Sequence, residues 1–299
     1  MKKVRTGKRV WRALLATALA VMMVVALSAC GNQPADYTGK KISVVTREDG
    51  SGTKSAFMEL LGLKGKKDVS GVIVANSTAA VLAEVKGNPY AIAFDSLGYV
   101  TDEVKTITVD GVAPTVEAIK NGTYKISRPL SVVYQEENVK DGLNKAFLTF
   151  LQSSDAMTII AQKGYVTVSE NAPAYVVQSG LSGTIAITGS TSLRPLMQEL
   201  AKKFENLQSG VSVTVGGGGS GTGYNDAQNN VSAFGMISEK FTQSKAENCV
   251  SYTVALDGIA VIVNKENPIQ NITLAALKNL YDPDAGENSV LTWDQISGK

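Results

Sequence analysis

The tetrapeptide Gly-Ser-Gly-Thr occurs twice in this chain, and each copy sits between a short β-branched apolar run and a helix-like segment. The first lies in Thr46-Arg47-Glu48-Asp49-Gly50-Ser51-Gly52-Thr53, after Ile42 to Val45 and before Lys54 to Leu61, where Phe57, Leu60 and Leu61 share one helical face. The second, Gly219 to Thr222, follows Val211 to Val215 within a glycine run starting at Gly216. Strand, glycine turn and helix in that order leave free N–H groups at a helix start. Glycines let the backbone approach a ligand, hydroxyls donate, and Arg47 adds a fixed fork of donors. Two such turns far apart in sequence suit a tetrahedral oxyanion held from both sides.

Alternating strand and helix signals extend the pattern. Strands are expected at Ile42 to Val45, Gly71 to Val74, Ala91 to Phe94, Leu130 to Tyr134, Ile185 to Ile187, Val211 to Val215, Phe234 to Ile237 and Ile259 to Val263. The clearest helix spans Leu193 to Phe204, with Leu193, Leu196, Met197, Leu200, Ala201 and Phe204 on one face and Pro195 in its first turn; another covers Leu143 to Leu151. Asn171 to Gly183, with Pro173 and two glycines, reads as a linker. These signals imply an α/β chain with open, mostly parallel sheets, whose ligands sit at the carboxyl ends of strands. Both glycine loops occupy that location, as does Gly189-Ser190-Thr191-Ser192, which serves equally as an N-cap.

The N-terminus reads as an address. Lys2, Lys3, Arg5, Lys8, Arg9 and Arg12 precede an uncharged, mostly apolar run from Ala13 to Ala29. That is a secretory signal, with an ordinary cleaved peptide or a single span as alternatives. Its end, Leu27-Ser28-Ala29-Cys30-Gly31, resembles a bacterial lipobox, which implies lipid attachment at Cys30. Removing six of the 29 Lys+Arg leaves 23 against 27 acids, a balance of −4. Nucleic acid is therefore not an indicated partner, and anion binding has to come from local dipoles. With Cys30 acylated, Cys249 has no partner and is expected to be a buried free thiol. The absence of histidine removes His-based triads and most zinc sites, and no metal or cofactor is implied.

These residues resemble the phosphate-binding family of Pst-type ABC importers, a type II periplasmic-binding-protein fold of two lobes joined by two crossover strands. Thr188 to Leu196 resembles its first phosphate loop, Gly216 to Gly223 its second, Ala233 to Glu239 its third and Thr46 to Thr53 its arginine loop. Asp257 to Asn264 is similar to one interlobe crossing, Asn267-Pro268 and Leu291-Thr292-Trp293 are similar to scaffold segments, and Val109 to Thr115 and Tyr124 to Leu130 resemble the approach to the return crossing. The order differs: the arginine loop comes first here. Joining Lys299 to Lys41 restores the family spacing, so the resemblance implies a circularly permuted order, with a tandem fragment or a swapped dimer as alternatives.

That order divides the chain into a signal peptide at 1–30, a tether at 31–41, a split lobe at 42–123 plus 265–299 carrying the arginine loop, and a continuous lobe at 124–264 carrying the glycine loops, with 171–183 joining the ancestral ends. It also predicts that Lys41 and Lys299 lie close together. By resemblance the ligand set is Ser190, Thr191, Ser192, Ser220, Arg47, Ser51, Gly52 and Thr53, with Asp49 orienting Arg47 and Glu239 accepting the phosphate proton. The implied function is capture of inorganic phosphate by an extracytoplasmic, membrane-anchored lipoprotein for delivery to a membrane permease, without bond-breaking chemistry. A phosphate sensor or adaptor on the same fold is the alternative.

Overall fold

The computed structural model describes residues 37–297, and these form one compact unit. The signal peptide, most of the tether, Cys30 and Lys299 lie outside the described residues. The described strands are β1 (Ser43–Arg47), β2 (Ile73–Ala75), β3 (Ala91–Ser96), β4 (Val104–Val109), β5 (Ser127–Tyr134), β6 (Val166–Thr167), β7 (Gly183–Gly189), β8 (Val211–Gly218), β9 (Phe234–Ile237), β10 (Val250–Asn264) and β11 (Asn271–Ile272). The helices are α1 (Gly52–Leu60), α2 (Thr78–Gly87), α3 (Val116–Lys120), α4 (Gly142–Leu151), α5 (Ser154–Gln162), α6 (Arg194–Leu207), α7 (Ser220–Gln228), α8 (Leu274–Tyr281) and α9 (Trp293–Ser297).

All eight expected strands form, and both expected helices form within a few residues of their expected ends. On α6, Leu196, Met197, Leu200, Ala201 and Phe204 are buried, and Pro195 falls in the first turn, where its missing N–H costs nothing. The strands β4, β6 and β11 were not expected: β4 reads Val-Lys-Thr-Ile-Thr-Val, and the other two are only two residues long. The sheet order is β2-β1-β3-β10-β5-β9-β7-β8, with β4, β6 and β11 attached at its sides. The expectation of mostly parallel pairing needs correction. β1 is parallel to β2 and β3, and β7 to β8 and β9, but β10 runs antiparallel to β3, β4, β5 and β6, and β5 antiparallel to β9. The short apolar runs of Leu130 to Tyr134 and Ile259 to Val263 do not reveal direction, because a buried strand reads the same both ways.

The long strand β10 organises the molecule. Its first half, Val250 to Gly258, pairs with β5, and its second half, Ile259 to Asn264, pairs with β3 and β4. Separate apolar cores lie to either side. Val45, Val81, Val85, Ala93, Val104 and Ile262 build one, while Leu130, Phe147, Phe150, Ile187, Leu200 and Phe234 belong to the other. Cys249 is a free buried thiol, as expected, within a third cluster beside Tyr224 and Ile237. Residues 171–182 contain no helix or strand, although Tyr175 packs edge-on against Phe150.

The N-terminal and C-terminal ends of the described chain meet. Lys41 forms a β-bridge with Thr292, the Ile42 N–H donates to the Leu291 carbonyl at 2.9 Å, and the Trp293 N–H donates to the Lys40 carbonyl at 3.1 Å. Trp293 is buried and meets Tyr37 edge-to-face with ring centroids 5.8 Å apart. A buried tryptophan contributes through area that no smaller side chain replaces. Trp293→Ala is expected to cost about 3–5 kcal/mol, read as a lower urea midpoint with unchanged slope.

Candidate functional site

The carboxyl ends of β1 and β7 feed turns into helices, and four helix N-termini converge there. Ser51 caps α1, its hydroxyl accepting from the Lys54 N–H, and Ser77 caps α2 by accepting from the Ala80 N–H. Ser190 accepts from the Leu193 N–H in the turn into α6, and α7 opens at Ser220 after two left-handed glycines, Gly218 and Gly219. Each N-terminus carries about half a positive charge. Together they point four positive dipole ends into one pocket.

Arg47, the last residue of β1, enters this pocket with only 1% of its surface exposed. Its Nε and Nη2 each donate to a Glu48 carboxylate oxygen at 2.8 Å. Nη2 also donates to Thr191 Oγ1 at 3.2 Å, across from the other glycine loop. Nη1 is the least satisfied edge, since its bond to Thr78 Oγ1 is long at 3.5 Å. Around it hydroxyls from both sides interlock. Thr53 Oγ1 lies 2.8 Å from Ser192 Oγ, and Thr78 Oγ1 lies 3.2 Å from Thr191 Oγ1 and 3.3 Å from Ser192 Oγ. Ser220 Oγ accepts from the Ser238 N–H at 3.0 Å and sits 3.3 Å from Ser238 Oγ. The Gly221 N–H closes the gap by donating to the Gly50 carbonyl at 3.0 Å.

Of the expected ligand set, Arg47, Ser51, Gly52, Thr53, Ser190, Thr191, Ser192 and Ser220 gather here, with the Ser51 and Ser190 hydroxyls already engaged as caps. Gly52 is required by contact: a Cβ on it meets Ser220 Oγ at 2.2 Å. One assignment is corrected. Asp49 does not orient Arg47; its side chain is 100% exposed and pairs with Lys54, while Glu48 holds the guanidinium. Glu48 directly follows the strand end, whereas Asp49 lies in the turn and faces outward. One residue past β9, Ser238 turns toward Ser220, and its neighbour Glu239 is buried, lines a cavity with Gly50 and Ser51, and accepts from Lys245 at 2.8 Å through one oxygen.

Sequence reading missed Thr78 and Ser238. Thr78 follows a Ser-capped helix start after a short strand, the same signature as the glycine loops but without their glycines. Ser238 was passed over for the acid beside it.

Beneath Arg47 lies a buried ionic layer at the crossing strands. Arg128 Nη2 donates to Asp257 Oδ2 at 3.1 Å, and its Nη1 donates to the Ser238 carbonyl at 2.9 Å, tying β5 to the third loop. Ser96 Oγ donates to Asp257 at 2.8 Å. Burial pushes the Asp257 carboxyl up and pulls the Arg128 guanidinium down, each opposed by its partner. Asp95, completely buried at the end of β3, is pushed up to about 7 by desolvation, against the pull of the Ser96 N–H, Arg47 and Arg128.

The geometry is that of a binding protein for a small oxyanion, with donors from two sides and four helix dipoles pointing inward. The family model that matches the chain is described as a PBP superfamily domain and covers residues 31–155 and 177–298. The chain belongs to the PBP superfamily. Its curated relatives include the phosphate-binding protein PstS 2 of Streptococcus agalactiae, 33% identical over 93% of this chain and 95% of that protein. The protein of the same name from Streptococcus pneumoniae is 31% identical over 90% and 94%. A crystal structure of the phosphate-binding protein of a phosphate ABC transporter from Streptococcus pneumoniae matches with a TM-score of 0.67 and 30% identity, covering 86% of this chain and all of that one. These relatives are binding components of transporters and not enzymes.

The buried Asp95 sets an expected pH dependence. The native carboxyl keeps its proton up to about 7, while the unfolded one releases it near 3.8. Between those values the native state binds more protons, so rising pH erodes its stability by on the order of 4 kcal/mol. Asp95→Asn is expected to remove most of that decline, measured by urea unfolding from pH 4 to pH 8.

Proposed function

We propose that this chain captures inorganic phosphate in the Arg47 pocket and delivers it to the membrane permease of an ABC importer. One observation carries the proposal: a guanidinium almost wholly withdrawn from water, its Nη1 edge weakly used, set among the hydroxyls of Thr53, Thr78, Thr191 and Ser192 at four helix N-termini. Such a site is costly to bury unless an anion completes it. A tetrahedral anion with four oxygens matches donors converging from two sides. The names of the relatives weigh toward a transport role over a sensor or adaptor.

Within this reading, Arg47, Thr53, Thr191, Ser192 and Ser220 are the donors carried over from the sequence, and Thr78 and Ser238 are added. Ser51 caps its helix and presents the pocket wall, Gly52 permits the close approach, and Ser190 shapes the first loop. Binding occurs as the half of the fold carrying Arg47 closes on the half carrying Ser192 and Ser220 about β10. The basic leader and Leu-Ser-Ala-Cys support export and lipid anchoring at Cys30 on the outer face of the cell membrane.

A circularly permuted order also belongs to this proposal. One observation agrees with it: the Lys40 to Ile42 segment pairs with Leu291 to Trp293. The division into a split lobe, 42–123 plus 265–299, and a continuous lobe, 124–264, follows from the same reading. Because this seam closes within one chain, light scattering is expected to report a monomer; a dimer means the halves pair between molecules.

Each charge-assisted hydrogen bond contributes about 1.5–3 kcal/mol. Arg47→Ala is therefore expected to weaken phosphate binding in calorimetric titration by at least a hundredfold. Gly52→Ala is expected to do the same by blocking closure. Unchanged affinity in Arg47→Ala overturns the assignment.

A further inference from the structure

The chain enters its fold at a fixed point. The Tyr37 hydroxyl donates to the Pro89 carbonyl at 2.9 Å, and its buried ring lies edge-on to Tyr90 and Trp293. Only six residues, 31–36, separate Tyr37 from Cys30. Fully extended chain of that length spans at most about 25 Å. Whatever holds Cys30 therefore also holds this end of the molecule close.

A cavity of about 680 Å³ opens beside the entry point. Ile42, Val44, Val72 and Leu291 supply apolar wall, and Leu291 is 62% exposed. Lys41 and Lys67 stand among them, both exposed and neither with a partner for its ammonium group among the described residues. The acids of the same cavity are already engaged: Asp68 pairs with Lys54 at 2.7 Å and Asp282 with Lys66 at 2.6 Å. Lys40, exposed as well, precedes Lys41. The result is an apolar hollow bearing positive charge that no neighbouring acid neutralises.

Given the reading of Cys30 as a lipid anchor, we propose that this cavity receives the headgroups of anionic phospholipids, so that the mature chain rests on its own membrane through the end of the half that carries Arg47. Lipid phosphates meet Lys40, Lys41 and Lys67, while Leu291 and the apolar wall meet the less polar region beneath them. A few lysines alone bind such a surface weakly. The short tether makes the contact intramolecular, which raises its effective concentration. β1 runs from Val44 at the cavity to Arg47 at the cleft, so membrane contact at one end of the strand leaves the other uncovered.

Trp293 reports on this contact, because the other tryptophan, Trp11, belongs to the leader. In phosphatidylglycerol vesicles carrying a dansyl headgroup label, the lipidated mature chain is expected to transfer excitation from Trp293 to the label several-fold more than in phosphatidylcholine vesicles. The excess is expected to vanish in about 0.5 M sodium chloride, where the screening length falls to about 4 Å. Lys41→Glu with Lys67→Glu is expected to lose it as well, with near-ultraviolet circular dichroism confirming the fold. Lys145→Glu with Lys202→Glu, the same charge change on α4 and α6, is expected to retain it. Equal transfer with the two lipids, or a Lys41 and Lys67 variant that behaves as the native chain, overturns the proposal. So does a dimer in the absence of vesicles that this variant abolishes, since the cavity then receives a second copy. If mass spectrometry finds Cys30 without lipid, it is the anchor reading that fails; the chain coupled through Cys30 to a maleimide lipid still decides the cavity, because Cys249 is buried.

Discussion

Everything in this structure is arranged around the burial of one guanidinium. Arg47 cannot shed its charge, so withdrawing it from water has to be offset by nearby acceptors. Glu48 supplies a bidentate partner from the adjacent position, which fixes the plane of the guanidinium and leaves Nη1 turned toward Thr78. The helix N-termini then set the sign of the pocket. Their dipoles are short-ranged, so they act on the pocket whatever the net charge of the chain.

A buried charge also constrains the frame around it. Arg47 reaches across to Thr191, and Thr53 to Ser192, so the two sides of the cleft are joined by polar contacts while their apolar cores stay separate. The covalent links are the crossing strands, above all β10. The Arg128–Asp257 pair sits at that crossing, and Arg128 also binds the Ser238 carbonyl. The crossing is thereby tied to the third loop, and removing either residue leaves a buried charge without its partner.

Much of the fold was legible. Short β-branched runs mark eight strands because buried strands need apolar side chains, and glycine turns after them mark where the chain enters helix N-termini. The wrong assignment at the site has a local physical cause. Whether a side chain points into a pocket depends on its phase in the strand or turn, and a shift of one residue reverses it. Asp49 is suitable by chemistry, yet it neighbours the residue that holds the guanidinium, Glu48. Thr78 escaped notice because nothing in its local sequence says that its helix starts opposite Arg47.

By itself, the sequence determined the alternation of strand and helix, the arginine and hydroxyl chemistry, and the absence of any histidine-based mechanism, since these depend on residue type and local spacing alone. It also carried the order of the loops, which brings Lys41 to Thr292. Only the tertiary structure decided the direction of β5 and β10, the exchange of Asp49 for Glu48, and the complete burial of Asp95. Those outcomes rest on pairing between strands distant in sequence, and the sheet sets that register as a whole.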